Sequence, residues 1–146
     1  MSPHLLDVNA LVALAWPNHV HHARAIAWFR DHRASGWATC PLTESGFVRV
    51  SSNRSAIPEA KSPREAILLL ERIVALPHHV FWEDDVSLAR AHEVPREKIL
   101  GHRQVTDAHL LTLALRREGR VATFDRGLAE LLPREERAQG VVTLIP

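Results

Sequence analysis

The chain has 146 residues, 46% of them hydrophobic, and a formal net charge of +1, which is the size of one ordinary domain with a sizeable core and excludes the strongly basic footprint of a general nucleic-acid binder. Cys40 is the single cysteine, so an internal disulfide and a multi-cysteine zinc site are excluded, and a reducing compartment is expected. No apolar run reaches the roughly 20 residues of a membrane span and no basic-then-apolar leader is visible, so the expectation is one cytoplasmic domain over residues 1–146.

Leu5 and Leu6 belong to an apolar run that ends on Asp7 and passes directly into an Ala- and Leu-rich stretch, 8–14. This reads as a strand followed by a helix. Asp7 then stands at the carboxyl end of a strand, where open α/β sheets bind their ligands; read alone it serves equally as the N-cap of the helix. Trp16, Pro17 and Asn18 break the pattern, and Ala23, Ile26, Ala27 and Phe29 resume it at helical spacing as far as Arg33. His19, His21 and His22 open that second helix as a solvated polar start, since no further ligand set with zinc spacing accompanies them. The remaining histidines read as surface and packing residues, with His109 the one near residues of chemical interest.

Ser35 and Gly36 form a turn, and 36–40 reads as a short second strand. Pro41 suits the first turn of a helix, with Glu44 one turn in and Phe47, Val48 and Val50 following. Glu44 either repeats the placement of Asp7 or simply complements the helix dipole, an effect of a few tenths to about 1 kcal/mol. Residues 51–58 are a loop. Ser62, Pro63 and Glu65 then spell a capping box with proline at the first helical position, Ile67, Leu70, Ile73 and Val74 forming the apolar face and Glu71 and Arg72 the wet one.

Pro77 ends that helix, 80–82 reads as a third strand, and Asp84-Asp85 as the N-cap of a helix over 86–92. Residues 94–103 form a loop around Pro95 and Gly101. The stretch 105–115 is apolar nearly all round and is expected to be buried, with Gly119 at its C′ position. Asp107 lies in its first turn, where a buried carboxylate needs a partner. Residues 120–124 form a strand left through Asp125, Arg126 and Gly127, and 141–145 closes the chain as a last strand.

The alternation of strands with helices defines an α/β fold with a parallel sheet flanked by helices, and right-handed crossovers bring strand ends and helix starts to a common edge. Asp7, Glu44, Asp107 and Asp125 all fall on that edge. Four crowded carboxylates are compensated either by protonation or by cations between them. Oxygen-only ligands favour Mg²⁺ or Mn²⁺ over zinc, and such ions support an in-line phosphodiester displacement by water. No G-x-S-x-G, activated-cysteine, G-x-G-x-x-G or P-loop pattern offers another chemistry.

The opening L-L-D-V-N-A-L, the block T-E-S-G-F-V-R-V-S-S-N, the block V-T-D-A-H-L and the ending R-V-A-T-F-D-R-G-L together resemble a PIN-domain nuclease of the VapC toxin type. The resemblance runs nearly end to end. It implies a single PIN-like three-layer α/β domain with a central, mostly parallel sheet, and a cytoplasmic Mg²⁺- or Mn²⁺-dependent endoribonuclease paired with an inhibitory antitoxin whose tail blocks the acidic pocket. Carried over by motif, Asp7, Glu44, Asp107 and Asp125 are the metal-binding catalytic acids, with Asn9 and Thr123 as outer supports. Arg49, Arg54 and Arg126 are candidates for RNA phosphates, on grounds any surface arginine shares. A homodimer is implied as well.

A haloacid-dehalogenase phosphatase is disfavoured because Asn9 replaces its second Asp and neither Lys61 nor Lys98 is suitably placed; a receiver domain fails on the same lysine. A non-catalytic PIN module would be expected to have lost an acid, and all four are present. A housekeeping RNA-processing PIN nuclease stays open, because a neighbouring antitoxin gene would decide between the two.

Overall fold

Five strands of three or four residues each carry the architecture of the computed structural model, which describes residues 2–137 and 139–146. In chain order the elements are β1 (His4–Leu6), α1 (Val8–Ala15), α2 (His22–His32), β2 (Trp37–Thr39), α3 (Pro41–Ser51), α4 (Pro63–Val74), β3 (His79–Phe81), α5 (Gln104–Arg116), β4 (Arg120–Thr123), α6 (Arg134–Arg137) and β5 (Val142–Leu144), with 3-10 turns at Arg33–Ser35, Arg96–Lys98 and Arg126–Leu131. All strands pair in parallel in the order β3-β2-β1-β4-β5. The chain therefore builds outward from β1 to β3, then returns across the sheet to lay β4 on the other side of β1. That reversal puts a topological switch point between β1 and β4, the place where such sheets open a crevice at their carboxyl ends.

The reversal also sorts the helices. Strand side chains alternate between faces, and the register holds Leu5 level with Ala38 and Val121, and Leu6 level with Ala122. Leu5, Ala38 and Val121 pack with Leu110, Leu111 and Leu113 of α5 on one face. Leu6, Trp37 and Ala122 pack with residues of α1 to α4, among them Leu11, Phe29, Phe47 and Leu70, on the other. Helix α5 meets solvent mainly at its ends and buries Ala108 and Leu110 through Ala114, as its all-round apolar sequence requires. Helix α4 starts on the expected capping box, Ser62 accepting from Glu65 N and Glu65 from Ser62 N.

Three expectations are corrected. Residues 86–92 form no helix: Asp84 Oδ1 caps Val86 N at 3.0 Å, but Ser87 O takes both Arg90 N and Ala91 N in a single turn. So short a segment is not a stable helix without a packed face, and here Ala91 and Val94 bury separately while Leu88 stays 38% exposed. On α4, Leu70 and Ile73 are buried and Val74 packs against the core as expected, but Ala66 takes the place of Ile67, which is exposed. At the end of α5 the left-handed residue is Glu118, φ 54°, not Gly119. Glu118 N bonds to Leu115 O and Gly119 N to Ala114 O, a Schellman motif with a glutamate at C′. Gly119 is needed for another reason, since a Cβ there would lie 2.4 Å from the Trp82 indole.

Candidate active site

Asp7 directly follows β1 and caps α1, so both readings of it hold at once. Its Oδ1 accepts from Val8 N at 2.7 Å and its Oδ2 from the Thr123 hydroxyl at 2.9 Å. Thr123 is the last residue of β4 and is fully buried. Its oxygen also accepts from Asn9 Nδ2 at 3.3 Å and from Asp125 N at 3.0 Å, while Asn9 Oδ1 accepts from Phe124 N. One hydroxyl thus ties the two acids flanking the switch point, Asp7 and Asp125, to a shared support. Asp125 is exposed, with Oδ1 accepting from Gly127 N at 2.8 Å.

The third acid, Asp107, feels the charge of both. Burial raises the Asp107 carboxyl, and the charges of Asp7 and Asp125 add to it, bringing it to about 6. Asp7 is raised too, by burial first and by Asp125 last, against the lowering hydrogen bonds from Thr123 and Val8. Three carboxylates from the ends of β1 and β4 and the start of α5 therefore feel one another, as partly buried like charges do. Among the described residues none of the four predicted acids forms an ion pair, so their charge has no protein cation to offset it.

Glu44 is held differently. Its Oε2 accepts from the Thr39 hydroxyl at 2.6 Å, and the same hydroxyl lies 2.8 Å from His79 Nε2. Glu44 also lines a groove of about 470 Å³ between α3 and α4 with Ser45, Val48, Arg49 and Ile67. Asp7, Asp107 and Asp125 thus lie within one another's charge field, while Glu44 is held by Thr39 at the end of β2, the strand beside β1. Arg126 is exposed directly after Asp125, and Arg54 is exposed on the loop after α3.

Thr39 and His79 escaped the reading of the sequence, although a signal existed. Ala38-Thr39 and Ala122-Thr123 both end a strand on threonine shortly before an acid. Asp84 reads from the sequence first as a cap and second as a neighbour of the site; its Oδ2 meets His109 Nε2 at 2.6 Å. His109 lies two residues beyond Asp107, roughly 200° around the helix, so that pair anchors the 82–103 segment to α5 away from the three acids.

Oxygen donors without a counter-ion suit a hard divalent cation. The described residues nevertheless contain no group of three or more His, Cys, Asp or Glu side chains close enough together to hold one as they stand. The donor chemistry fits the ion even though the ligand cage is not closed.

A model of the PIN domain matches residues 4–131, and the chain belongs to the PIN-domain family. Within it the chain is similar to ribonuclease VapC38 of Mycobacterium tuberculosis H37Rv, 56% identical over 127 residues, 87% of this chain and 88% of the relative. Ribonuclease VapC39 of the same strain is 51% identical over 126 residues, 86% and 91% of the two chains. Ribonuclease VapC44 is 43% identical over 125 residues, 86% and 87%. The crystal structure of PAE2754 from Pyrobaculum aerophilum superposes with a TM-score of 0.60 over 97% of this chain and 83% of that one, at 21% identity, a likeness of fold. No helix among the described residues is long and apolar enough to cross a membrane.

Proposed function

We propose that the chain is an endoribonuclease dependent on Mg²⁺ or Mn²⁺ and the toxin of a cytoplasmic toxin–antitoxin pair, with Asp7, Glu44, Asp107 and Asp125 as its site acids. The observation that carries this is the half-buried Asp107 carboxyl, raised to about 6 by burial first and then by the charges of Asp7 and Asp125, with no ion pair on any of the three among the described residues. Relatives that bear the name ribonuclease over most of their length support RNA as the substrate.

The divalent ion, once bound, supplies Lewis-acid stabilisation of the phosphodiester and an activated water. The chain's own residues prepare that chemistry. Thr123 and the Val8 amide hold the Asp7 carboxylate in orientation, and Asn9 braces Thr123 from the other side. Asp107, which holds its proton below about pH 6, would have to be ionised to hold the cation. Arg49, on the groove wall with Glu44, and Arg126, beside Asp125, offer guanidinium donors to RNA phosphates; Arg54 reaches them from the loop. A VapB-type antitoxin covering the acids and a homodimer complete the proposal.

The test is cleavage of single-stranded and structured RNA by the purified protein with Mg²⁺ or Mn²⁺, against EDTA and against Asp7→Asn. Cutting lost in both controls is expected. A protein that cuts no RNA while Mn²⁺ still raises its melting temperature would refute the nuclease and leave a metal-binding protein of other chemistry.

A further inference from the structure

We propose that Thr39 and His79 are positioning residues for Glu44: His79 donates through Nε2–H to the Thr39 hydroxyl, which donates its only proton to Glu44 Oε2. This rests on the reading of Glu44 as a site acid.

The direction of the chain follows from counting protons. The Thr39 oxygen lies 2.6 Å from Glu44 Oε2 and 2.8 Å from His79 Nε2. A hydroxyl carries one proton and an ionised carboxylate only accepts. If Thr39 donated to the imidazole, two oxygens would face each other at 2.6 Å with no hydrogen between them. The hydroxyl therefore donates to Glu44, and His79 is the tautomer protonated at Nε2.

The three groups are set by packing as well. Thr39 ends β2 with no exposed surface. His79 begins β3 level with Trp37 in the register, its ring centroid 4.7 Å from the Trp37 ring, and Trp37 Nε1 is anchored on Pro77 O at 3.0 Å. Burial lowers the affinity of His79 for a second proton, against a smaller raising effect of the Glu44 charge. The same device recurs across the switch point, where the buried hydroxyl of Thr123, last residue of β4, donates to Asp7. Each strand-end threonine holds one oxygen of one acid. For Glu44 this leaves Oε1 as the oxygen the threonine does not hold.

Outer partners of this kind change metal affinity or activity by roughly 10- to 100-fold when removed. The experiment has two arms, both on the full chain. In the first, the ¹⁵N spectrum of histidine-labelled, metal-free protein reads the His79 tautomer; an Nε2–H imidazole is expected, and an Nδ1–H imidazole overturns the proposal. In the second, Mn²⁺ titration followed by electron paramagnetic resonance is combined with RNA cleavage kinetics. Thr39→Val is expected to weaken Mn²⁺ binding and to lower kcat with KM little changed. Thr39→Ser restores most of both, and His79→Gln, which keeps a side-chain N–H donor, falls between. Thr39→Val protein that folds, binds Mn²⁺ and turns over like the wild type overturns the positioning role; should it fail to fold, Thr39→Ser against His79→Ala decides. A wild-type protein that binds Mn²⁺ but cuts no RNA refutes the nuclease reading instead, and leaves the tautomer and the affinities to judge the positioning.

Discussion

Replacing Asp107 by Asn should make the metal-free protein more stable at the same time as it abolishes RNA cutting. The Asp107 carboxyl is moved from 3.8 to about 6, and each unit is worth roughly 1.4 kcal/mol. Because the side chain is only partly buried, solvent screening reduces the figure, leaving about 1–1.5 kcal/mol of repulsion and desolvation in the folded state. The pH dependence has a definite sign. Below about pH 4 the carboxyl is protonated in folded and unfolded chains alike and carries no penalty. Between 4 and 6 the folded chain holds the extra proton, so stability falls as pH rises, and above 6 the whole penalty stands. Asparagine never carries it. Near this domain size 1 kcal/mol corresponds to about 2–4 °C in Tm, so Asp107→Asn should melt roughly 3–5 °C higher than wild type at pH 8 in EDTA and at the same temperature at pH 4. Calorimetric melting at the two pH values measures it. No gain at pH 8, or an equal gain at both, would show that the carboxylate is not the strained member of a like-charged cluster.

Stabilisation by Mn²⁺ should depend on the same proton: the Tm rise at pH 7.5 should shrink below pH 6 as Asp107 holds its proton, and a pH-independent rise would place the ion elsewhere. Glu118→Gly should gain about 0.5–1 kcal/mol by relieving a left-handed glutamate, whereas Gly119→Ala should lose about 1–3 kcal/mol against the Trp82 ring; urea unfolding compares them, and the reverse order would contradict the helix ending described. Asp84→Ala should cost about 1–2 kcal/mol through the lost cap and the lost His109 contact while leaving cleavage intact. Inactivity equal to that of Asp107→Asn would move the Asp84–His109 pair into the site.

Much of this arrangement is local and so was written in the residues. Asp7 after an apolar run, Pro41 three residues before Glu44, the Ser62–Glu65 box and the unbroken apolar surface of α5 each specify an element from neighbours a few positions away. The order of elements then constrains strand ends to one edge, so the candidate acids could be named before any coordinate. The motif resemblance named the family for the same reason, since the motifs lie at those element boundaries. Where the reading failed, competition between neighbours decided. Residues 86–92 had a cap but no face to pack as a unit, and the end of α5 accepted a strained Glu118 because Gly119 had to lie against Trp82.

The tertiary structure alone decided which acids meet. The reversal of strand order between β1 and β4 brings Asp7 and Asp125 onto one threonine, 116 and two positions from it along the chain, and α5 brings Asp107 to their charges. It also turned Glu44 toward Thr39 and His79, a contact spanning 40 residues that depends on β2 pairing with β3. Such pairings are set by the burial of two opposite sheet faces at once, a constraint that no local stretch of sequence contains.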